Sequence, residues 1–381
     1  MAETRLSPRA AYVHIPFCIS KCHYCDFDSF PGLDALFDDY VRALILEIDR
    51  TRADDGADLD SVYFGGGTPT VLSAAAVISV LRALDSRFVV APDCEVTIEA
   101  NPGTVGESRL AELRGAGFTR ISLGVQSFDD GFLTRLGRAH NARDAIDAYE
   151  GARAAGFANV GIDLIFALPG QTASHWETTL DAALGLSPEH ISLYELTIEQ
   201  GTRFARMCAE GLLELPDEDT KLEMYEMAIG KMTSAGYEHY EVSNFARPGF
   251  RSRHNQVYWR NEPFYGFGAG ATSYVRGVRA HRISDPRAYI EAIFSGSDAV
   301  DSSEELSRRA RLAETVILGL RMLEGVDLDR VEAGTGVEAG SEFADEIADL
   351  TRRGLVEVAG RRLRVTHQGL LLLNDVSQAF V

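Results

Sequence analysis

Long apolar runs, positive charge and cysteine are all scarce in this sequence. It contains no stretch of about 20 apolar residues that could span a bilayer. The first residues, Met1 to Ala10, lack the apolar core of a signal peptide. We therefore expect a cytoplasmic protein with no transmembrane segment, and membrane association only transiently and through a partner.

The deficit of positive charge also excludes a class of partner. Lysine and arginine total 37 against 57 aspartate and glutamate residues, which gives a formal net charge of -20. A surface of this sign repels a phosphate backbone. We expect no nucleic-acid partner.

The few cysteines are concentrated in one place. Of five cysteines, three lie in the segment Cys18-Ile-Ser-Lys-Cys22-His-Tyr-Cys25, which is unlike the even, dispersed set that crosslinks a secreted domain. Thiolates suit iron–sulfur clusters or zinc. The spacing favours a four-iron cluster with one iron free to bind a substrate, because structural zinc prefers paired C-x2-C ligands. A zinc site completed by His23, and buried cysteines without metal, remain as alternatives.

The rest of the chain is typical of a globular α/β protein. Its 381 residues, 45% of them hydrophobic, predict a large body and a smaller appendage. Short β-rich runs alternate with helical patterns, which indicates parallel strands joined by crossover helices. The predicted strands are Ala11–Ile15, Ser61–Phe64, Glu95–Glu99, Arg120–Val125, Val160–Phe166 and Ile191–Leu196. Six units are too few for a closed eight-stranded barrel, so we expect an open, partial (β/α)6 barrel.

Candidate site residues follow the predicted strands, where ligand sites of such sheets lie. Cys18 follows the first strand, the turn Gly65–Thr68 the second, Glu99 to Asn101 the third and Gln126 the fourth. Consecutive glycines let a backbone approach a ligand while leaving its amides free. The alternative interpretation of this turn is simply a tight strand-to-helix connection. A capping box of Thr104 and Glu107 predicts the next helix start.

Beyond the alternating part, two further segments are expected. The first domain is predicted to span 1–245, and an aromatic, glycine-rich segment, 246–305, to pack on it. Residues 306–381 contain a helix at Leu312–Leu323, a second at Ile347–Leu350, paired runs around Gly360 and a final helix. Helices followed by a hairpin predict a small winged-helix-like α+β module, and the acidic balance favours a structural cap over nucleic-acid binding.

The cysteine spacing after the first strand resembles the radical S-adenosylmethionine superfamily. This resemblance implies a [4Fe–4S] cluster on Cys18, Cys22 and Cys25 that binds S-adenosylmethionine and cleaves it reductively to a 5'-deoxyadenosyl radical. It also implies cofactor-binding roles for residues that match the pattern of the coproporphyrinogen dehydrogenase and HemW branch. These residues are Tyr12, Tyr24, Gly66, Gly67, Thr68, Glu99, Gln126, Arg138 and Asp163.

Two features decide between the branches of that family. The coproporphyrinogen dehydrogenases carry a further cysteine two residues after the third cluster ligand, where this chain has Phe27. The run His254-Asn-Gln-Val-Tyr-Trp259 resembles the HNxxYW signature of HemW-type haem chaperones. His254 could ligate haem iron, or it could be a satisfied histidine among core aromatics.

The resemblance therefore implies a haem chaperone that passes haem to an acceptor such as a respiratory cytochrome. Cofactor cleavage would accompany haem handling without an oxidised porphyrin product, and the reductant would be a flavodoxin or ferredoxin. The alternative is the dehydrogenase reaction, which converts two propionates of coproporphyrinogen III to vinyl groups and yields protoporphyrinogen IX. A zinc-stabilised interaction protein is a third possibility, which leaves the glycine-rich turn unexplained.

Overall fold

The computed structural model describes residues 7–52 and 58–381. Residues 1–6, on which the expectation about a signal peptide partly rests, lie outside the described residues. The strands in chain order are β1 (Ala10–Ile15), β2 (Phe17–Cys18), β3 (Phe30–Pro31), β4 (Asp58–Gly66), β5 (Val89–Ala100), β6 (Arg120–Gln126), β7 (Asn159–Phe166), β8 (His190–Glu195), β9 (Glu238–Glu241), β10 (Asn244–Ala246), β11 (Tyr265–Phe267), β12 (Thr272–Val275), β13 (Val278–Arg282), β14 (Val300–Glu305), β15 (Val326–Asp327), β16 (Val356–Ala359) and β17 (Arg362–Val365).

The helices connect these strands and cover the sheet. They are α1 (Phe37–Arg50), α2 (Ala74–Arg87), α3 (Glu107–Gly115), α4 (Asp130–Leu136), α5 (Ala142–Ala154), α6 (Ala173–Leu186), α7 (Arg203–Ala209), α8 (Glu218–Ser234), α9 (Arg253–Trp259), α10 (Pro286–Phe294), α11 (Arg308–Gly319), α12 (Leu328–Thr335), α13 (Ala339–Glu342), α14 (Ala344–Arg352), α15 (His367–Leu371) and α16 (Leu373–Gln378). Within residues 7–52 and 58–381, no helix combines the length and apolar character needed to cross a bilayer.

The central sheet has nine strands in the order β11-β1-β4-β5-β6-β7-β8-β10-β9. The six predicted strands correspond to β1 and β4 to β8, which pair in parallel in chain order. The predicted open, partial barrel is confirmed. Sequence analysis missed the additions at its edges, where β11 pairs in parallel with β1 and β10 runs antiparallel to β8.

The two faces of this sheet differ in polarity because side chains alternate along each strand. Apolar side chains such as Phe64, Ile98 and Leu123 are fully buried against the helices in one large core. Burial of each contributes about 1.5–3 kcal/mol. The opposite, concave face carries polar side chains at the intervening positions, and these include Tyr63, Glu99, Ser122, Asp163 and Ser192. The alternation of side chains along the strands therefore places apolar residues in the core and polar residues along a cavity.

The segment after residue 246 is tied to this body by a buried acid of α1. Glu47 is 4% exposed and accepts hydrogen bonds from Arg282 Nε at 2.6 Å, Tyr289 OH at 2.7 Å and Gly268 N at 2.9 Å. A buried carboxylate is stabilised only when it is paired and hydrogen-bonded in this way. The division at 245/246, which falls inside β10, stays a prediction.

The C-terminal region has a hydrophobic core of its own, built around residues such as Leu312, Leu350 and Leu363. Its three short strands pair in the order β15-β17-β16, and helices α11 to α16 surround them. The predicted helices and hairpin are all present, although the first helix ends at Gly319 rather than Leu323.

One predicted helix signal was wrong. The N-cap of α3 is Gly106, and no side chain caps it. Thr104 instead donates to the carbonyl of Asn101 at 2.6 Å and lies 2.7 Å from the hydroxyl of Thr70. Its hydroxyl is used within the loop after β5, where it cannot cap a helix that begins at Glu107.

Candidate functional site

A cavity of about 370 Å³ lies at the carboxyl ends of the central strands and extends along their polar face. Most residues that sequence analysis selected lie in its wall. These are Cys18, Cys22, Cys25, Tyr24, Gly66, Gly67, Thr68, Glu99, Gln126, Arg138 and Asp163. Tyr12 and His254 are the two selected residues that do not line it.

The three cysteines lie on one half-buried loop between β1 and α1. Lys21 Nζ holds this loop by donating to the Phe27 and Ser29 carbonyls at 2.5 and 3.2 Å. Its other anchor is His23, whose ring nitrogens lie 2.9 Å from the Arg135 carbonyl and 2.9 Å from Arg203 Nη1. His23, considered above as a fourth zinc ligand, therefore serves to attach the loop to its neighbours.

The three cysteines offer soft thiolate ligands of the kind that iron–sulfur clusters use. Among the described residues, no group of three or more His, Cys, Asp or Glu side chains is placed to hold one metal ion. In a [4Fe–4S] cube each thiolate binds a different iron, so the sulfurs need not converge on one point. Without a metal, burial raises the pKa of the Cys18 and Cys25 thiols. Iron coordination would offset this cost of ionising them.

The glycine-rich turn after β4 is built differently from the expectation of free amides. Gly67 N donates to the Ile15 carbonyl at 2.9 Å and Thr68 N to the Phe17 carbonyl at 2.7 Å. The Gly66 amide interacts with the Glu99 carboxylate. Free amides were thus a wrong inference, because these donors fasten the turn to β1 and β5. Its carbonyl oxygens are the groups that could accept from an ammonium.

Close packing explains why this turn needs glycine. A Cβ on Gly67 would lie 2.5 Å from the Phe17 carbonyl oxygen, and one on Gly66 would lie 2.5 Å from the His14 ring. Gly66 also has a φ of +110°, which side-chain-bearing residues rarely adopt. The turn is therefore both a tight connection and a wall of the cavity.

A chain of hydrogen bonds links Cys18 and Cys22 through the cavity wall. Asn101 Nδ2 donates to Thr68 Oγ1 at 2.6 Å, and Thr68 Oγ1 lies 3.6 Å from Cys18 Sγ. Arg138 donates to Asn101 Oδ1, and its Nη1 donates to Cys22 Sγ at 3.4 Å. Asn101 was placed at a strand end by sequence analysis without a role, and the structure makes it the centre of this chain.

Glu99 is a half-buried acid in the wall of the cavity. It accepts from Tyr63 OH at 2.6 Å. Burial raises the pKa of Glu99 to about 7, against the opposing effects of the Tyr63 and Gly66 hydrogen bonds and Arg120. Near neutral pH, Glu99 can therefore either accept from a ligand hydroxyl or carry a proton.

Asp163 and Gln126 complete the far side of the cavity. Asp163 accepts from Ser122 Oγ at 3.2 Å, and burial raises its pKa. Gln126 ends β6 with a φ of +66°, an uncommon conformation for a residue other than glycine. Gly124 makes room beside it, because a Cβ there would lie 2.9 Å from Asn101 Oδ1.

Sequence analysis missed Arg120, which lies at the start of β6 and also lines the cavity. Its side chain is 2% exposed, and its Nε has no hydrogen-bond partner among the described residues. Its positive charge acts on Glu95, Glu99 and Asp163. The pattern Arg120-x-Ser122-x-Gly124-x-Gln126, with apolar residues between, was the available signal, since it places all four on one face.

Tyr12 and His254 lie next to the cavity wall. Tyr12 OH is 3.0 Å from His14 Nδ1, and its ring lies 6.2 Å from that of Tyr63, which stacks on His254 at 5.1 Å. His254 is 1% exposed, with Ser61 Oγ 3.0 Å from Nδ1 and Tyr258 OH 2.9 Å from Nε2. Haem ligation by His254 stays a prediction, and it requires Tyr258 to release Nε2.

The fold and this cysteine-bearing cavity define a member of the radical SAM superfamily. Residues 12–183 match the family described as Radical SAM superfamily, and residues 306–372 match the HemN C-terminal domain. The solved structure of coproporphyrinogen III oxidase (HemN) from Escherichia coli, a radical SAM enzyme, superposes with a TM-score of 0.85 at 27% identity. The superposition covers 100% of this chain and 91% of the HemN chain.

Curated relatives narrow the class further. "Heme chaperone HemW" of Bacillus subtilis (strain 168) is 38% identical over 98% of this chain and 99% of its own length. "Heme chaperone HemW" of Escherichia coli (strain K12) is 33% identical over 99% of each chain. The chain belongs to the HemW family, whose radical SAM character implies a [4Fe–4S] cluster and S-adenosylmethionine as cofactors.

Proposed function

We propose that this protein is a cytoplasmic haem chaperone that binds a [4Fe–4S] cluster, S-adenosylmethionine and haem, and delivers haem to an acceptor such as a respiratory cytochrome. The observation that carries this proposal is the convergence of Cys18, Cys22 and Cys25 with a polar, sheet-lined cavity in a chain of the HemW family. Phe27 stands where the dehydrogenases have a further cysteine, and it is 64% exposed at the cavity mouth.

Cys18, Cys22 and Cys25 would hold the cluster, which supplies an open iron and one-electron reduction of the bound sulfonium. Arg138 would neutralise charge beside Cys22 and pair with the methionine carboxylate, because guanidinium matches carboxylate geometry. The carbonyls of Gly66 and Gly67 would accept from the methionine ammonium. Each of these groups is held in place by the contacts described above.

The remaining wall residues would position the nucleoside part of the cofactor. Glu99 and Asp163 would accept from the ribose hydroxyls, and Gln126 would contribute an amide. Tyr24 and Thr68 would close the cavity around the methionine chain, while Tyr12 supports Tyr63 from behind. Sheet-borne side chains with hydrogen-bonded neighbours suit this task because little rearrangement is needed on binding.

The surface of the cysteine loop is compatible with docking of an electron donor. Ile19 and Phe27, each 64% exposed, flank the cysteines on the protein surface. An exposed apolar pair beside the cluster would suit brief docking of a flavodoxin or ferredoxin, since small transient interfaces bury little area. The donor's identity is a further part of the proposal.

A second candidate is the oxygen-independent coproporphyrinogen III dehydrogenase reaction, favoured by the structural likeness to HemN over the whole chain. The experiment that separates the two is an anaerobic reaction of cluster-reconstituted protein with reductant, S-adenosylmethionine and coproporphyrinogen III. The chaperone proposal predicts 5'-deoxyadenosine without decarboxylated porphyrin. Formation of protoporphyrinogen IX would overturn it in favour of the dehydrogenase.

A further inference from the structure

The start of helix α9 faces the cavity at the carboxyl ends of the central strands. Asn255, the third residue of this helix and the second of the HNxxYW run, lines that cavity. Its main-chain amide donates to Ser252 Oγ at 3.3 Å. Its side-chain carboxamide has no hydrogen-bond partner among residues 7–52 and 58–381. A free carboxamide in the wall of a cavity is available to a ligand.

Glu95 of β5 fixes the place where α9 begins. This acid is 8% exposed, and its Oε1 accepts hydrogen bonds from Arg253 N at 2.9 Å and His254 N at 3.3 Å. These main-chain amides belong to the first turn of the helix, which has no partners for them within the helix. Glu95 and Glu99 lie on the same strand. The contact therefore sets the position of Asn255 relative to Glu99, which also lines the cavity.

His254, one residue earlier in the run, supports the ring of Tyr63. The two ring centroids are 5.1 Å apart with an angle of 27° between the planes, which is within the range of offset-stacked pairs. The Tyr12 ring lies 6.2 Å from Tyr63 and 6.3 Å from His254, so the three rings form one cluster. The His254 ring cannot turn without breaking its contacts with Ser61 Oγ and Tyr258 OH.

Tyr63 in turn fixes Glu99. Its hydroxyl donates to Glu99 Oε1 at 2.6 Å, and both residues line the cavity. Gly65 leaves room for this contact, because a Cβ there would lie 2.9 Å from Tyr63 Cε1 and 3.1 Å from Glu99 Oε2. A path of direct contacts therefore runs from His254 through Tyr63 to Glu99.

We propose that His254 and Asn255 belong to the S-adenosylmethionine site. His254 is a positioning residue that holds Glu99 through Tyr63, and Asn255 binds the nucleoside part of the cofactor through its carboxamide. The proposal rests on the proposed binding of S-adenosylmethionine in this cavity, and it adds two residues to that site. A carboxamide both donates and accepts hydrogen bonds, which suits the hydroxyls and ring nitrogens of a nucleoside.

Asn255 is tested with full-length, cluster-reconstituted protein titrated anaerobically with S-adenosylmethionine in a calorimeter. Asn255→Leu has a similar size and no hydrogen-bonding group, so affinity should fall about fivefold while iron and sulfide contents match the parent's. Arg260→Gln is the control, because Arg260 follows α9 and its guanidinium contacts Gln256 and Glu324. It should bind as the parent does. Parent-like affinity in Asn255→Leu would overturn the contact.

Two substitutions of His254 separate its ring from its hydrogen bonds. His254→Phe keeps a ring against Tyr63 and loses both hydrogen bonds, whereas His254→Gln keeps hydrogen-bonding groups and loses the ring. Denaturant unfolding should show a loss of stability in His254→Phe, yet its S-adenosylmethionine affinity should stay within about twofold of the parent's. In His254→Gln the affinity should fall by about threefold or more. Parent-like affinity in His254→Gln would overturn the positioning role.

The pH dependence of this affinity gives a readout that a purely structural role would not change. The Tyr63 hydrogen bond lowers the pKa of Glu99, so its loss in His254→Gln should raise that pKa and move the midpoint of the affinity to higher pH. His254→Phe should keep the parent's midpoint. The other groups that act on Glu99 are retained in both variants, and they are the Gly66 amide, Arg120, Asp163, Tyr12, Tyr194 and Tyr258.

Tyr63→Phe tests the same path without a substitution in α9. It keeps the stacked ring and removes only the hydroxyl that donates to Glu99. The midpoint should again move to higher pH, and this variant decides the question if the His254 variants do not fold. A midpoint equal to the parent's would overturn the path from His254 to Glu99.

The same titrations distinguish failure of this inference from failure of the proposed function. A parent protein that does not bind S-adenosylmethionine overturns both. A parent that binds it, with unchanged affinity and midpoint in Asn255→Leu, His254→Gln and Tyr63→Phe, overturns the inference alone. Haem is titrated into the same variants. A tenfold loss of haem affinity in His254→Gln, with parent-like S-adenosylmethionine binding, would assign His254 to haem and refute its positioning role.

Discussion

Arg138 Nη1 donates a hydrogen bond to Cys22 Sγ at 3.4 Å across 116 residues of sequence. The same guanidinium donates to the Gly124 carbonyl at 2.7 Å. It therefore joins the cysteine loop to the end of β6, and it places a positive charge beside a sulfur that would carry negative charge in a cluster. This contact fixes the guanidinium between the cysteine loop and the wall of the cavity.

Loss of one cluster ligand should abolish cofactor cleavage. Two thiolates hold a four-iron cube poorly, so Cys22→Ser is expected to lose the cluster absorption and to form 5'-deoxyadenosine at less than about 1% of the parent rate. Iron and sulfide analysis and product quantification check this. Cys208→Ser, at an exposed cysteine outside the cavity, is the control. Cleavage by Cys22→Ser at the parent rate would refute the ligand assignment.

Substitution of Arg138 should affect cofactor binding more than cluster content. Arg138→Met removes a charge-assisted contact worth about 1.5–3 kcal/mol, so S-adenosylmethionine affinity should fall by roughly 10–100-fold while the iron content stays near that of the parent. The measurement is calorimetric titration under anaerobic conditions. Arg143→Met, at an exposed arginine of α5 paired with Asp147, should show no change. Equal affinities in the two variants would exclude Arg138 from the site.

Cofactor affinity should depend on pH through Glu99. Its pKa of about 7 leaves the carboxylate mostly ionised above pH 7 and mostly protonated below it. If the ionised form binds the ribose, affinity should fall about fivefold from pH 7 to pH 6. The Glu99→Gln variant, measured in the same buffers, should not show this fall in affinity. The comparison therefore separates titration of Glu99 from titration of S-adenosylmethionine.

The groups that face Glu99 give a second check on this assignment. They include Tyr63 on β4, Arg120 on β6 and Asp163 on β7. Arg120 lowers the pKa of Glu99, so Arg120→Met should move the midpoint to higher pH. Arg120→Lys keeps a charge there and should move it less. An Arg120→Met profile that coincides with the parent's would show that this charge does not control Glu99.

His254→Ala should lower the stability of the protein and leave its haem binding nearly unchanged. The ring is fully enclosed, burial lowers the pKa of His254 to about 3, and both nitrogens are hydrogen-bonded. Removing it leaves Ser61 without its partner, at a cost of about 1–3 kcal/mol. Denaturant unfolding checks this, with haem affinity expected within threefold of the parent. A tenfold loss of haem affinity in folded protein would instead support ligation by His254.

The fold was largely predictable from sequence because the parallel strands have strong local signals. Runs such as Val160–Phe166 are β-rich and follow helical patterns, and each was confirmed. The edge strand β11 was missed since three residues, Tyr265–Phe267, carry no periodicity. Gly266 fits there because a Cβ would lie 2.0 Å from the Thr272 carbonyl oxygen, a long-range constraint that the sequence does not show.

The residues that line the cavity at the carboxyl ends of the strands were predictable from sequence where they follow a strand. Glu99 and Gln126 end strands, and family resemblance assigned their roles. Arg120 was missed because it lies at the start of its strand. That its long side chain reaches the cavity is seen only from the alternation of side chains along the whole strand. The partners of His254 lie on β4 and within α9, and only tertiary structure brings Ser61 to that ring.

The most direct test of the central claim is haem transfer. Purified, cluster-reconstituted protein is loaded with haem, freed of excess, and mixed anaerobically with a haem-free cytochrome and S-adenosylmethionine. Absorption of each protein after separation measures where the haem resides. Haem is expected to pass to the cytochrome faster than from an unrelated haem-binding protein of equal affinity. Haem that stays on the protein, or leaves it only at its spontaneous dissociation rate, would contradict a haem-chaperone function.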